Sequence, residues 1–151
     1  MQLEESPALY KVAELVTEFP GDLKKLTDEM FTLMYKSDGV GLAAPQVGIS
    51  KQIIVIDDGT NIGALFNPRI IEHSEDLVGS VEGCLSLPGQ SYLVNRFKTI
   101  TVEYQDIKGN YSTIKAGDFL SILLQHEIDH LNGILISSKG ELQPTHYSRT
   151  I

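Results

Sequence analysis

The sequence has little that would support a disulfide, a basic surface or a membrane span. It contains one cysteine, Cys84, which has no partner for a disulfide within the chain, so this thiol must serve as packing, as a nucleophile or as a metal ligand. Twelve Lys and Arg residues stand against twenty Asp and Glu, and the net charge is -8. That balance argues against direct DNA binding and against an anionic-membrane surface. No apolar run approaches the ~20 residues that a membrane-spanning helix needs.

The size and the two ends of the sequence suggest a simple organisation. A chain of 151 residues with 42% hydrophobic residues fits one compact domain. We therefore expect a single domain over residues 1–151, with a polar tail from about residue 137 that has no apolar stripe to pack on the core. Residues 1–5 begin acidic and lack the basic and apolar regions of a secretory signal, which favours a cytoplasmic location.

The strongest positive signal is the sequence QHEIDH at residues 125–130, inside an apolar run from 119 to 131. In a helix, four residues at ~100° each return nearly to the same face, so His126 and His130 can present two imidazoles to one metal ion. A catalytic site usually adds a third protein ligand and leaves one position for water. A lone cysteine is more often packing, but Cys84 is the best candidate for that third ligand because no other His, Cys or carboxylate cluster competes with it.

Such a site indicates amide hydrolysis. A metal held by the two histidines and Cys84 lowers the pKa of a bound water toward neutrality, so that this water can act as the nucleophile. Glu127 could accept the proton from the water and return it to the leaving nitrogen, a role worth ~10²–10⁴ in rate. Gln46, in a small-residue loop at residues 39–48, and the backbone N–H of Leu85 could stabilise the oxyanion.

The helix that carries the motif predicts its own surroundings. Phe119, Ile122 and Leu123 precede His126 by seven, four and three residues, so they extend the ligand face as an apolar wall suited to a medium-sized hydrophobic side chain. The helix is apolar on most of its circumference, so strands should wrap it. Asp118 is a plausible N-cap and residues 132–133 a stop signal.

The remaining chain predicts one more helix and several strands. Apolar residues at helical spacing place the helix at residues 22–36, with its methionines as core packing. Strand-like segments are residues 52–57, a short strand 64–66 interrupted by Asn67 and Pro68, an extended segment 69–73, and a hairpin of 99–105 with 111–115.

Three motifs in this order resemble the signature blocks of the peptide deformylase family: GVGLAAPQ at residues 39–46, EGCLS at 82–86 and QHEIDH at 125–130. The likeness also takes in Asn67, Pro68 and the helix before Gly39, and covers the chain from about residue 7 to 136. It implies an α+β fold with a central metal-bearing helix enclosed by antiparallel β-sheets. It also implies a hydrolase that removes the N-formyl group from the N-terminal methionine of newly made polypeptides.

The resemblance also assigns roles, residue by residue. It implies one divalent ion per chain, usually Fe²⁺ with Zn²⁺, Ni²⁺ or Co²⁺ as substitutes, on Cys84, His126 and His130. Glu127 resembles the acid/base of the family, and Gln46 and the Leu85 amide resemble its oxyanion donors. The residues implied to contact substrate are Val40, Gly41, Gly83, Phe119, Ile122 and Leu123. The residues implied to support the site are Glu82, Arg96 and Asp129, the first two as a buried ion pair.

Two departures from the family pattern affect the expected partners. The sequence does not continue into the long C-terminal helix with which many bacterial members dock on the ribosome, so we expect weak ribosome contact. We also expect a monomer, in a bacterium, a phage-infected cell or an organelle. Ser91 stands at a pocket-rim position where bacterial relatives often have Arg. Two rival functions stay open: a catalytically silent metal-binding module on the same fold, and a general zinc endopeptidase with a cleft open on both sides.

Overall fold

The computed structural model describes residues 1–144 and 149–151. The helices are α1 Leu23–Lys36, α2 Asp118–Leu131 and α3 Ile136–Lys139, with 3₁₀ turns at Pro7–Tyr10 and Ala44–Val47. The strands are β1 Gly41–Ala43, β2 Ile53–Asp57, β3 Ile62–His73, β4 Leu77–Cys84, β5 Leu87–Phe97, β6 Ile100–Gln105, β7 Tyr111–Ala116, β8 Glu141–Leu142 and β9 Arg149–Thr150.

One sheet has the strand order β1-β2-β3-β6-β7, with every neighbouring pair antiparallel. Its inner face meets α2 in one apolar cluster that includes Ile54, Leu65, Val102, Leu123 and Leu124. These side chains are 2% exposed or less, so this layer forms a dry core directly beneath the helix that carries the histidines.

A second sheet, β8-β5-β4-β9, lies on the other side of α2. The side chain of Gln125 joins the helix to it, because its Oε1 accepts the Phe97 N–H at 2.9 Å and its Nε2 donates to the Phe97 carbonyl at 2.9 Å. The helix is therefore enclosed by two sheets, and the α+β class expected from the sequence is confirmed.

Helix α1 packs a second apolar cluster against the back of the first sheet. Met30 and Met34 are fully buried there together with Leu42, Val55 and Phe66. The expectation that these methionines serve as core packing is confirmed.

Local patterns located several elements within a residue or two. The predicted hairpin is the antiparallel pair β6 and β7, and Gly133 adopts the left-handed φ of 72° that ends α2. The predicted N-cap is wrong: Gly117 occupies that position without a side-chain hydrogen bond, and Asp118 is the first helical residue, with φ 48°. The segment 39–48, read as a loop, holds β1 and a 3₁₀ turn.

The break predicted at Asn67 is also wrong. Strand β3 runs through it with a shift of register between Phe66 and Arg69. Asn67 adopts φ 52°, and its side chain accepts the Val16 N–H and donates to the Val16 carbonyl, both at 2.8 Å. These bonds to a distant segment fix the kink without ending the strand.

The segment after residue 137 does not stay off the core. Its described residues form β8 against β5 and β9 against β4, and Ile151 is 1% exposed within the same apolar cluster as α2. The expectation of an unpacked polar tail is wrong, because backbone pairing holds this segment without an apolar stripe. Within the described ranges, no helix has the length and apolarity required to cross a membrane.

Candidate active site

The last residue of β4 and two residues of α2 bring three ligand atoms together. Cys84 Sγ lies 3.4 Å from His130 Nε2, and the ligand atoms of Cys84, His126 and His130 are all within 4.8 Å of one another. All three side chains are buried. The strand supplies the thiol and one helical face supplies both imidazoles, as the i, i+4 spacing predicted.

The donor set fits a divalent metal ion. Ligands at about 2.3 Å for sulfur and about 2.1 Å for nitrogen, in tetrahedral geometry, lie about 3.6 Å apart, close to the separation of Cys84 and His130. His126 Nε2 is buried and has no hydrogen-bond partner among the described residues. A buried nitrogen with a free lone pair is costly unless something binds it, so these residues could hold a metal.

Glu82 fixes the orientation and tautomer of His126. Its Oε1 lies 2.8 Å from His126 Nδ1, and burial lowers the pKa of His126, so the imidazole is neutral and Nδ1 carries the proton. Nε2 is then left as the lone-pair atom facing the cluster. Burial alone would raise the pKa of Glu82, but hydrogen bonds from Arg96 and His126 lower it to about 2, so it stays anionic.

Arg96 binds two carboxylates from different elements. Its Nε and Nη2 donate to the two oxygens of Glu82 at 2.9 and 2.8 Å, and its Nη1 donates to Asp129 Oδ2 at 2.6 Å. Arg96 is 1% exposed and Glu82 is fully buried, so β5 is joined to both β4 and α2 by charge. Lys139, on the protein surface, donates a further hydrogen bond from Nζ to Asp129 Oδ2 at 2.9 Å.

We expect Arg96→Ala to lower the free energy of unfolding by about 3–5 kcal/mol, because it leaves a buried carboxylate without its partner. The control is Arg69→Ala, which removes an exposed guanidinium paired with Glu103 at 2.9 Å and should cost at most about 1 kcal/mol. Urea unfolding of both variants measures the difference. Equal losses would show that the Glu82 carboxylate does not depend on Arg96.

Glu127 is buried beside the cluster. It is fully shielded from solvent, and neither carboxylate oxygen has a hydrogen-bond partner among the described residues. Burial, and then the charge of Glu82, raise its pKa well above the usual range. A Cβ on Gly41 would lie 2.5 Å from Glu127 Oε2 and 2.8 Å from Leu123 Cδ1, so the bare backbone of β1 closes directly over this carboxylate.

Cys84 does not have the properties of a free nucleophile. Burial raises the pKa of its thiol to about 12, against the opposing hydrogen bonds from Ser86 and Leu87. Without a bound cation this raised pKa disfavours the thiolate that a nucleophile needs, whereas a divalent ion would deprotonate the thiol on binding. Of the three roles open to this residue, packing and metal ligation remain, and the two imidazoles beside it favour ligation.

Gln46 is held with its amide nitrogen toward the Cys84 loop. Its Oε1 accepts the Ala43 N–H at 2.9 Å, and its Nε2 donates to Ser86 Oγ at 3.0 Å and lies 3.7 Å from Cys84 Sγ. The side chain is fully buried. The amide that the sequence singled out in the small-residue segment, and Leu85 directly after the thiol, therefore lie on the same side of the cluster.

A family model for polypeptide deformylase matches residues 2–144 of the chain. The chain belongs to the peptide deformylase family.

Relatives agree in sequence and in fold. The peptide deformylase of Finegoldia magna is 41% identical over 143 residues, covering 92% of this chain and 87% of the relative. The crystal structure of peptide deformylase from Thermotoga maritima superposes with a TM-score of 0.89 at 41% identity, covering 93% of this chain and 95% of the other. The deformylase of the Vibrio parahaemolyticus bacteriophage VP16T, solved in complex with actinonin, has a TM-score of 0.85 at 39% identity, with 90% and 100% covered. Like these relatives, the chain is a hydrolase.

The deformylase fold also brings in residues that the sequence did not indicate. Ser86 accepts a hydrogen bond from Gln46 at 3.0 Å, and Ile151 lies in the apolar cluster of Leu123; the sequence indicated neither role. Ser91, expected at the pocket rim, is 2% exposed on β5, because the segment after residue 140 pairs over it and the Gln143 N–H donates to its carbonyl at 2.8 Å.

Proposed function

We propose that this chain removes the formyl group from the N-terminal formyl-methionine of newly made polypeptides. The observation that carries the proposal is the convergence of Cys84, His126 and His130 beside a buried Glu127, next to an apolar wall. Family membership supports the reaction class. The same reading gives a cytoplasmic monomer whose partners are nascent formyl-Met peptides, with weak ribosome contact and no DNA or membrane partner.

The ligands and their support have distinct tasks. Cys84, His126 and His130 would hold one divalent ion, Fe²⁺ in the native protein with Zn²⁺, Ni²⁺ or Co²⁺ as substitutes. Bound there, the ion would supply Lewis acidity and make water a better nucleophile at neutral pH. Glu82 holds His126 in the ligating tautomer. Arg96 and Asp129 in turn hold Glu82 and the start of the last turn of α2.

Glu127 moves the proton of the reaction. It takes a proton from the attacking water and delivers it to the amide nitrogen of methionine as the bond from the formyl carbon breaks, which releases formate and a free amine. The carboxyl group holds this proton between the two steps. Gln46 Nε2–H and the Leu85 N–H donate to the formyl oxygen as negative charge develops on it.

Substrate selection depends on the apolar wall and two glycines. Phe119, Ile122 and Leu123 pack in one cluster with Val40 and would receive the methionine side chain. The backbones of Gly41 and Gly83, on β1 and β4, would pair with the extended substrate peptide. A side chain at position 41 would clash with Glu127, so only glycine lets the β1 backbone lie this close to the carboxylate.

The two rival functions fit the geometry less well. A general endopeptidase needs a cleft open on both sides of the scissile bond, whereas the backbone of Gly41 lies directly over Glu127. A silent metal-binding module has no need for a carboxylate that lacks a partner among the described residues in the interior, since such a group costs stability. Deformylation uses both the enclosed site and the free carboxylate.

We expect the anaerobically prepared iron protein to hydrolyse a formyl-Met tripeptide about 10–200-fold faster, in kcat/KM, than its acetyl-Met analogue. The acetyl group carries one more methyl group on the acyl carbon, and this methyl has to fit beneath the Gly41 backbone. A difference of one methyl group typically changes kcat/KM by this factor. Release of the free amine measures both rates. Equal rates would indicate a general amidase, and no turnover with full metal occupancy would favour the silent module.

A further inference from the structure

The last three described residues are hydrogen-bonded alongside β4, the strand that carries Cys84. Strand β9 runs parallel to β4, with Arg149 opposite Glu82 and Thr150 opposite Gly83, and the Ile151 N–H donates to the Gly83 carbonyl at 3.1 Å. Strand β4 has β5 on one edge and β9 on the other. Gly83 is one of the two glycines whose backbone would pair with substrate.

The side chain of Ile151 is buried in the apolar cluster that also contains Leu123 of the wall. It is 1% exposed and lies in the cluster of Leu123, against which Val40, Phe119 and Ile122 pack. Its backbone is bonded one residue from Cys84, so among the members of this large cluster its place is at the metal end. Isoleucine and methionine side chains have similar volume and polarity. Ile151 therefore brings a side chain of methionine-like size and polarity to the Cys84 end of β4, where the proposed function places the substrate methionine.

The site residues are closed to solvent in this structure. Cys84, His126, Glu127 and His130 are each 2% exposed or less, and a hydrolase must admit a peptide and water to such groups. Helix α2 and the β4–β5 hairpin carry the ligands and their ion pairs, so they cannot leave without dispersing the site. Strand β9 is held to β4 by two residue pairs and the Ile151 N–H, so it can leave at a lower cost than those elements.

The direction of β9 makes it an occupant that cannot react. Because β9 is parallel to β4, its chain runs from Glu82 toward Cys84. The carboxyl side of Ile151 therefore points toward the Cys84 end of the site. A formylated peptide must arrive there by its N-terminus. Ile151 therefore presents an apolar side chain to the wall but no formyl amide to Glu127.

We infer that residues 149–151 act as an intramolecular competitor, with Ile151 seated in the methionine pocket until a formyl-Met peptide displaces it. This rests on the proposed function, which assigns the pocket. Because the competitor is part of the same chain, its local concentration is near millimolar. Substrate then binds only the fraction of molecules with an open site, and the apparent KM rises in proportion.

The first test is Ile151→Ser in the full chain, which removes the apolar anchor and adds no metal-binding carboxylate. KM for a formyl-Met tripeptide should fall about threefold to tenfold with kcat within twofold, as expected if the site is open in about 10–30% of wild-type molecules. The control is Leu142→Ser on β8, where the side chain is 64% exposed; its KM should stay at the wild-type value. An unchanged KM in Ile151→Ser, with metal content retained, would overturn the inference.

The second test needs no turnover. Amide exchange of Ile151, followed by NMR in the metal-loaded protein, should be slowed by its bond to Gly83, and saturating actinonin should restore fast exchange by taking the pocket. A free Ile151 amide, or protection that persists with actinonin bound, would refute the competitor role. Absence of deformylation in every variant would overturn the proposed function alone, and the exchange result would still decide whether β9 yields the pocket.

Discussion

Replacing Glu127 by Gln is expected to lower kcat by at least ~10² while the metal content of the protein stays unchanged. The amide keeps the shape of the side chain but cannot accept the proton of the attacking water. Neither oxygen of Glu127 ligates or pairs with a described residue, so the ligand cluster should stay intact. Turnover of a formyl-Met tripeptide and metal analysis of the same sample measure the two quantities.

The stability of this variant separates a catalytic effect from a structural one. A neutral amide is cheaper to bury than a carboxylate without a described partner, so the melting temperature of Glu127→Gln should match or exceed that of the wild type. Glu29→Gln, an exposed change of the same kind on α1, should leave kcat unchanged. A kcat within twofold of wild type in Glu127→Gln would mean that another group carries the proton.

Local spacing was enough to predict the helix of the site and its chemistry. The positions of His126 and His130 follow from the helical repeat, and the hairpin of β6 and β7 follows from alternation around a turn. The contact of Cys84 with that face is long-range, and ligand chemistry predicted it where periodicity could not. The ion pair of Glu82 with Arg96 spans two strands and was reached through the family resemblance.

Backbone pairing accounts for what the sequence could not indicate. Strand β9 is polar in composition and is placed by hydrogen bonds to β4, which any residue except proline can make. Asn67 continues β3 because of its bonds to Val16, and that contact has no local signal. The same holds for the burial that raises the pKa of Glu127, since it arises from the backbone of Gly41 lying over the carboxylate.

Cys84→Ser should remove most of the bound metal and abolish deformylation. Cys84 carries the only thiol in the sequence, and a serine hydroxyl, much less acidic and a harder donor, should weaken binding of a divalent ion by at least ~10². Since a bound ion stabilises only the folded state, the variant should also lose the rise in melting temperature that added metal gives the wild type.

The matched change Cys84→Ala distinguishes ligation from packing. If Cys84 were packing, Ala would cost only the volume of the sulfur and both variants would keep the ion. As a ligand, its loss leaves His126 and His130 with two nitrogens, too few for tight binding, so both variants should dialyse to metal-poor protein with similar folds by circular dichroism. Full occupancy and wild-type turnover in Cys84→Ser would remove the thiol from the ligand set. His126 Nε2 has no hydrogen-bond partner among the described residues. In that case a metal site that binds this nitrogen would need a third ligand other than Cys84.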